Sequence, residues 1–194
     1  ETWLVEPHHL QGFVCFSLPA NKQSRFGHHA GGLATYISQT CSNTAKIISS
    51  GLSSNLAVKI MVTLEKKKEE ILIINTYIHP KRKKPDSEKL LADLQSFITS
   101  TQSGNLILLG DFNLFLLNST IDEDTLEQNT VWGLPVQSKS SRGKSSRIAL
   151  QLLEDLEGLN LRAANGRFTG DSPPATSYYT TSTSTIIDYT FISL

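Results

Sequence analysis

Little in this sequence supports chemistry built on cysteine, on a strong net charge or on lipid. Its two cysteines, Cys15 and Cys41, have no metal-like spacing, which argues against a disulfide scaffold or a cysteine zinc site. Both are expected to be ordinary core or strand residues. Eighteen basic residues offset eighteen acidic ones, so no global positive field draws the chain to nucleic acid. Any polyanion site must be local. No apolar run approaches the roughly 20 residues of a membrane span, and Glu1-Thr2-Trp3-Leu4 does not read as a signal peptide or other targeting signal. A soluble protein with no membrane partner is the expectation. P-loop, Ser nucleophile elbow and HExxH patterns are missing as well. The pairs His8-His9 and His28-His29 sit in polar segments without a third ligand and read as loop residues.

What is present suits one globular domain spanning residues 1–194, with 39% hydrophobic residues to build a core. Gly12 to Leu18 and Gly32 to Ser38 are short β-rich runs. From Asn55 to Glu65, Val58, Ile60, Val62 and Leu64 alternate with Lys59, Met61 and Thr63, the period of a half-buried strand. Lys66 to Glu70 reads as a charged hairpin turn, and Ile71 to Ile78 as the returning strand. Leu90, Leu91, Leu94, Phe97 and Ile98 fall at helical spacing behind an N-cap at Asp86 or Ser87. A second helix is predicted from about Ile148 to Glu157, closed by Gly158. Leu159 to Ala164 reads as extended, and Ile186 to Ile192 as a final strand after a Ser/Thr-rich loop. Many strands and two well-separated helices predict an α+β architecture, with sheets packed face to face and helices outside. Both ends of the chain are expected to be cut.

Four polar placements break the apolar logic of these strands. Asp111 and Asn113 follow the run Leu106 to Leu109 at i and i+2, so they share a side if strand geometry continues. Asn75 and Tyr77 repeat that spacing at the end of another strand. Asp188 interrupts an apolar run, and Glu1 precedes an aromatic segment. An ionised carboxylate buried without compensation costs several kcal/mol, so each needs a partner, a metal or water. Gly110-Asp111-Phe112-Asn113 taken alone is equally an Asx turn, and Asp188 alone can accept bonds from nearby Ser and Thr. Taken together, three carboxylates and an Asn at strand ends suit Mg²⁺, which favours oxygen ligands and meets substrate phosphate. Such a cluster fits phosphate-ester hydrolysis: one carboxylate positions or deprotonates water, an amide orients it, and a phenol such as Tyr77 donates to the phosphate.

At this point the ordered segments Glu1-Thr2-Trp3, Gly31-Gly32-Leu33-Ala34, Asn75-Thr76-Tyr77-Ile78-His79-Pro80, Gly110-Asp111-Phe112-Asn113 and Thr185-Ile186-Ile187-Asp188-Tyr189 resemble the endonuclease/exonuclease/phosphatase superfamily. Within it, they are most similar to the apurinic-type endonuclease domain of non-LTR, LINE-class retrotransposons. The resemblance runs over essentially the whole chain. It implies a DNase I-like four-layer α/β sandwich of two mostly antiparallel sheets flanked by helices, and Mg²⁺-dependent cleavage of a DNA phosphodiester, with Mn²⁺ as a substitute. It implies that Glu1 and Asp188 serve the metal, that Asp111 and Asn113 handle and orient the water, and that Tyr77 contacts phosphate. Asp188 would pair with a C-terminal His. Ser177 and Thr185 lie where family members place hydroxyl side chains near the DNA or the active site, and Asn75, beside Tyr77, is a candidate substrate contact, as are Arg142 and Arg147 of the basic stretch. The implied partners are duplex DNA, nicked to prime reverse transcription, and a downstream reverse transcriptase; the implied place of action is the nucleus.

The chain departs from that pattern. The family's first strand with its catalytic Asn and its final Ser-Asp-His segment have no counterpart between Glu1 and Leu194, so these 194 residues are expected to cleave weakly or not at all. After Tyr77, His79 and Lys81 stand where an Asn is usual. The basic stretches Lys81-Arg82-Lys83-Lys84 and Arg142, Lys144, Arg147 either touch DNA phosphates or are solvated loops. The alternatives to a target-nicking endonuclease are an abasic-site repair endonuclease, a related phosphoesterase, and a noncatalytic DNA-binding remnant.

Overall fold

The computed structural model describes residues 5–22, 29–42, 44–48, 55–64, 66–79, 84–101, 103–113, 147–164, 178–179, 184–185 and 188–193. A six-stranded sheet forms the centre. Its strands are β5 (Lys46–Ile48), β6 (Asn55–Leu64), β7 (Lys67–Tyr77), β8 (Leu106–Asp111), β12 (Asp188–Ser193) and β9 (Leu161–Ala163), in that spatial order. Only β7 and β8 run parallel; every other neighbour is antiparallel. Parallel neighbours need a crossover, and helix α2 (Lys84–Thr101) supplies it.

Period-two alternation gives the sheet two apolar faces. Leu72, Ile74, Leu106, Leu108, Tyr189 and Phe191 pack against Leu90, Leu91, Leu94 and Ile98 of α2 and against Leu152 and Leu156 of α3 (Arg147–Gly158). On the other face, Leu56, Val58, Ile60 and Tyr77 meet Leu33 and Ile37. Those two belong to β4 (Leu33–Ser38), which pairs antiparallel with β1 (Phe13–Leu18) in a second sheet. Cys15 lies on β1, and Cys41, in the short α1 (Gln39–Ser42), packs against this second cluster. The result is the α+β sandwich that the sequence predicts, with sheet on sheet and helices outside. Two further two-stranded ribbons are β2 (Asn21–Lys22) with β3 (His29–Ala30), and β10 (Tyr178–Tyr179) with β11 (Ser184–Thr185). Among the described residues no helix is long and apolar enough to cross a membrane.

Several boundaries differ from the sequence reading. The hairpin closes between Leu64 and Lys67, with Lys66 at φ 71°, so Lys67 to Glu70 are strand rather than turn. Their charges are tolerated because this end of the sheet is open to solvent, where Lys59 and Glu70 pair at 2.8 Å. Helix α2 starts at Lys84 rather than after Asp86 or Ser87; a proline such as Pro85 fits a first turn, whose N–H groups have no helical acceptor. The chain leaves α3 through Asn160 at φ 59°, with Leu159 N–H donating to Asp155 O and Asn160 N–H to Glu157 O. Asn160, not Gly158, therefore takes the left-handed cap position.

Candidate active site at the ends of β7 and β8

The parallel pair β7 and β8 ends on one edge of the sheet, and β12 enters at the same edge. Their register aligns Tyr77 with Asp111 and Asp111 with Asp188, so the three residues form one row across three adjacent strands. Alternation fixes their common side: Ile74, Leu108 and Tyr189 point to the helix layer, which sends Tyr77, Asp111 and Asp188 to the opposite face. Directly opposed residues on neighbouring strands have α-carbons roughly 4.5–5.5 Å apart, so the two carboxylates are neighbours. The row is graded in exposure. Tyr77 is buried under the β1–β4 sheet, Asp111 is half-buried, and Asp188 is exposed.

Gly110 makes this row attainable. It lies opposite Thr76 with φ 142°, and a Cβ built there falls 1.9 Å from the Thr76 carbonyl oxygen. Only glycine lets β8 approach β7 this closely. Beyond it, Ile78 N–H donates to Asp111 O at 2.9 Å, continuing the ladder past β7. Asn113 then turns the chain at φ 48°. Its backbone N–H donates to Asp111 Oδ1 at 2.9 Å, and its Nδ2 donates to Ile78 O at 2.9 Å. The Asx turn and the candidate site are thus one structure: the turn aims the carboxylate. Phe112 anchors it from the other face, fully buried and edge-on to Tyr189 and Phe191.

Burial pushes the Asp111 carboxyl above its ordinary value; the Asn113 N–H pulls it back, and the charge of Asp188 across the strand pushes it up again. Two opposed carboxylates, one destabilised in its charged form, make an oxygen-donor pair that a hard divalent cation would relieve. Among the described residues no group of three His, Cys, Asp or Glu side chains gathers. Glu1, the third expected oxygen donor, lies outside them, as do Ser177 and Arg142.

The other expected residues are placed as follows. Asn75 lies on the same face as Tyr77, one alternation inward, and its Nδ2 donates to Ala34 O at 3.1 Å and Thr35 Oγ1 at 3.3 Å. Its amide fastens β4 to the sheet beside Tyr77. Thr185 pairs with Tyr178 in the β10–β11 ribbon. Arg147 opens α3, which packs on the sheet's other face. Sequence reasoning assigned no role to Gly110 or His79. Gly110 carried a signal, a glycine inside an apolar strand, which marks close backbone approach. The imidazole of His79 stands edge-on to the Tyr77 ring, with centroids 6.2 Å apart.

No protein-family model matches the sequence, and no curated protein matches it. Solved structures do. The 3′ phosphatase NExo from Neisseria, bound to a product DNA hairpin, superposes with a TM-score of 0.57 at 16% identity, over 94% of this chain and 67% of its own. The AP endonuclease LMAP from Leishmania major gives 0.57 at 12% identity, over 94% and 62%. An endonuclease/exonuclease/phosphatase family protein from Leptotrichia buccalis gives 0.50 at 13% identity, over 94% and 60%. The chain thus spans between three fifths and two thirds of the length of these structures. At such identities the likeness establishes the fold, a DNase I-like sandwich.

Proposed function

We propose that this chain carries the hydrolytic centre of a divalent-metal-dependent phosphodiesterase acting on DNA. The observation that carries the reading is the row Tyr77, Asp111, Asp188 on one face of three adjacent strands, closed by Asn113. Asp188, with Glu1, would hold Mg²⁺, or Mn²⁺ in its place; bound there, the ion would neutralise charge on the phosphoryl oxygens. The chain's own groups have separable tasks. Asp111 is half-buried and its carboxylate is aimed by the Asn113 N–H, the placement of a group that positions or deprotonates the attacking water. Asn113, locked to Ile78, holds that carboxylate in one orientation. Tyr77 forms the buried end of the row, beside the place of the phosphate.

The finer reading is a domain that nicks duplex DNA to prime a downstream reverse transcriptase in the nucleus; the ordered sequence motifs support it. A second reading, repair of abasic DNA, is favoured by the likeness to the AP endonuclease from Leishmania major. Cleavage of matched duplexes with and without an abasic site, in Mg²⁺, separates the two. Comparable rates on both support the target-nicking reading. Strong preference for the abasic duplex supports repair, and loss-free cleavage by Asp111→Ala removes the proposed centre altogether.

A further inference from the structure

Hydrogen-bond donors and acceptors are divided between the strands at this site. The acceptor carboxylates Asp111 and Asp188 occupy β8 and β12, whereas β7 ends in Tyr77 followed two residues later by His79. The edge-on contact at 6.2 Å puts the imidazole on the same side as the Tyr77 ring. Tyr77 is spent largely on packing: it is 9% exposed and belongs to the cluster under the β1–β4 sheet. His79 is half-buried and reaches solvent. The backbone of the preceding residue is pinned on both sides, by Ile78 N–H to Asp111 O and by Asn113 Nδ2 to Ile78 O. The imidazole is therefore carried on a segment fastened directly to the Asp111–Asn113 turn.

A phosphodiester beside two carboxylates meets only repulsion from them, so its nonbridging oxygens need donors from the other side. We propose that His79 is a substrate-contacting residue that donates an imidazole N–H to a nonbridging oxygen of the bound phosphate, with Tyr77 as the ring that orients it. This rests on the phosphodiesterase reading above and assigns the phosphate's place within it. The substrate then lies with its phosphate between the end of β7 and the carboxylates of β8 and β12.

The test uses histidine-labelled protein with inorganic phosphate as the probe. The imidazole resonance that His79→Phe removes should move on titration with phosphate, while those of the other four histidines stay. His79→Phe keeps a ring against Tyr77 and removes the donor. Its melting temperature should match wild type, and its KM for a DNA substrate should rise about tenfold, the worth of one hydrogen bond to a charged group. A His79 resonance unmoved by phosphate, or a His79→Phe variant with wild-type KM, overturns the proposal. If the resonance moves but the protein hydrolyses no DNA, the hydrolytic reading fails and the phosphate contact stands.

Discussion

Replacing Gly110 by alanine should disable the site without touching any of its side chains. The added Cβ would lie 1.9 Å from Thr76 O and 2.9 Å from both Thr76 N and C. All three are backbone atoms inside a paired strand, so none can swing away. Overpacking of this kind costs about 1–3 kcal/mol, and holding alanine at a φ reserved for glycine costs about 1–3 kcal/mol more. A total of about 2–6 kcal/mol is a large part of the roughly 5–15 kcal/mol that stabilises a domain. With a urea slope of about 2 kcal/mol/M, a loss of about 3 kcal/mol lowers the unfolding midpoint by about 1.5 M. Relief requires β8 to retreat from β7, carrying Asp111 with it, and a displacement near 1 Å can cost about 10²-fold in rate. Urea denaturation gives the first quantity and nicking kinetics the second. Trimming the side chain opposite, with Thr76→Gly, should not rescue Gly110→Ala, because the obstacle is main chain. A Gly110→Ala protein with a wild-type midpoint, or one rescued by Thr76→Gly, would refute the reasoning.

Other expectations concern the same turn. Since the Asp111 carboxyl is raised in the folded state, the folded chain binds a proton there more tightly than the unfolded one. Its contribution to stability is therefore fully present below the ordinary Asp value and is lost as pH rises through the raised one. Asp111→Asn keeps an oxygen for the Asn113 N–H and removes the charge. It should melt above wild type at neutral pH, with the difference shrinking as pH falls toward 4; thermal melts across that range decide it. Asn113→Gly should lose only the bond to Ile78 O, about 1 kcal/mol. Asn113→Ala adds the left-handed backbone penalty of about 1–2 kcal/mol, so chemical denaturation should rank the alanine variant below the glycine one. Phe112→Ala empties a fully buried site between Tyr189 and Phe191 and should cost about 3–5 kcal/mol by the same assay.

Much of the frame was legible because burial leaves a period in the sequence. Val58, Ile60 and Val62 alternate because one face of β6 meets the second sheet, and Leu90, Leu91, Leu94 and Ile98 recur because one stripe of α2 meets the first. The i, i+2 spacing of Asp111 and Asn113 likewise placed both at a strand end. Register between distant strands leaves no such trace. Nothing in the Asp188 segment says that it lies opposite Asp111, since that pairing is set by how β12 docks across an insertion of many residues. Nor does the sequence say that the Asn75 amide holds Ala34 and Thr35. Asn75 and Tyr77 share a spacing, yet one fastens the second sheet and the other borders the carboxylates. The charged stretch after Leu64 misled because charge marks exposure, and an exposed strand end is charged as readily as a turn.

The central claim is that Asp111 and Asp188 act as a metal-dependent pair, and conversion of supercoiled plasmid to open circle addresses it most directly. Wild-type protein should nick only weakly in Mg²⁺ and stop when the metal is chelated, while Asp188→Asn, exposed and outside the core, should fold normally and nick about 10²-fold or more slowly still, the usual loss for one electrostatic group of a site. Equal nicking with chelator, or an Asp188→Asn variant as fast as wild type, would contradict it.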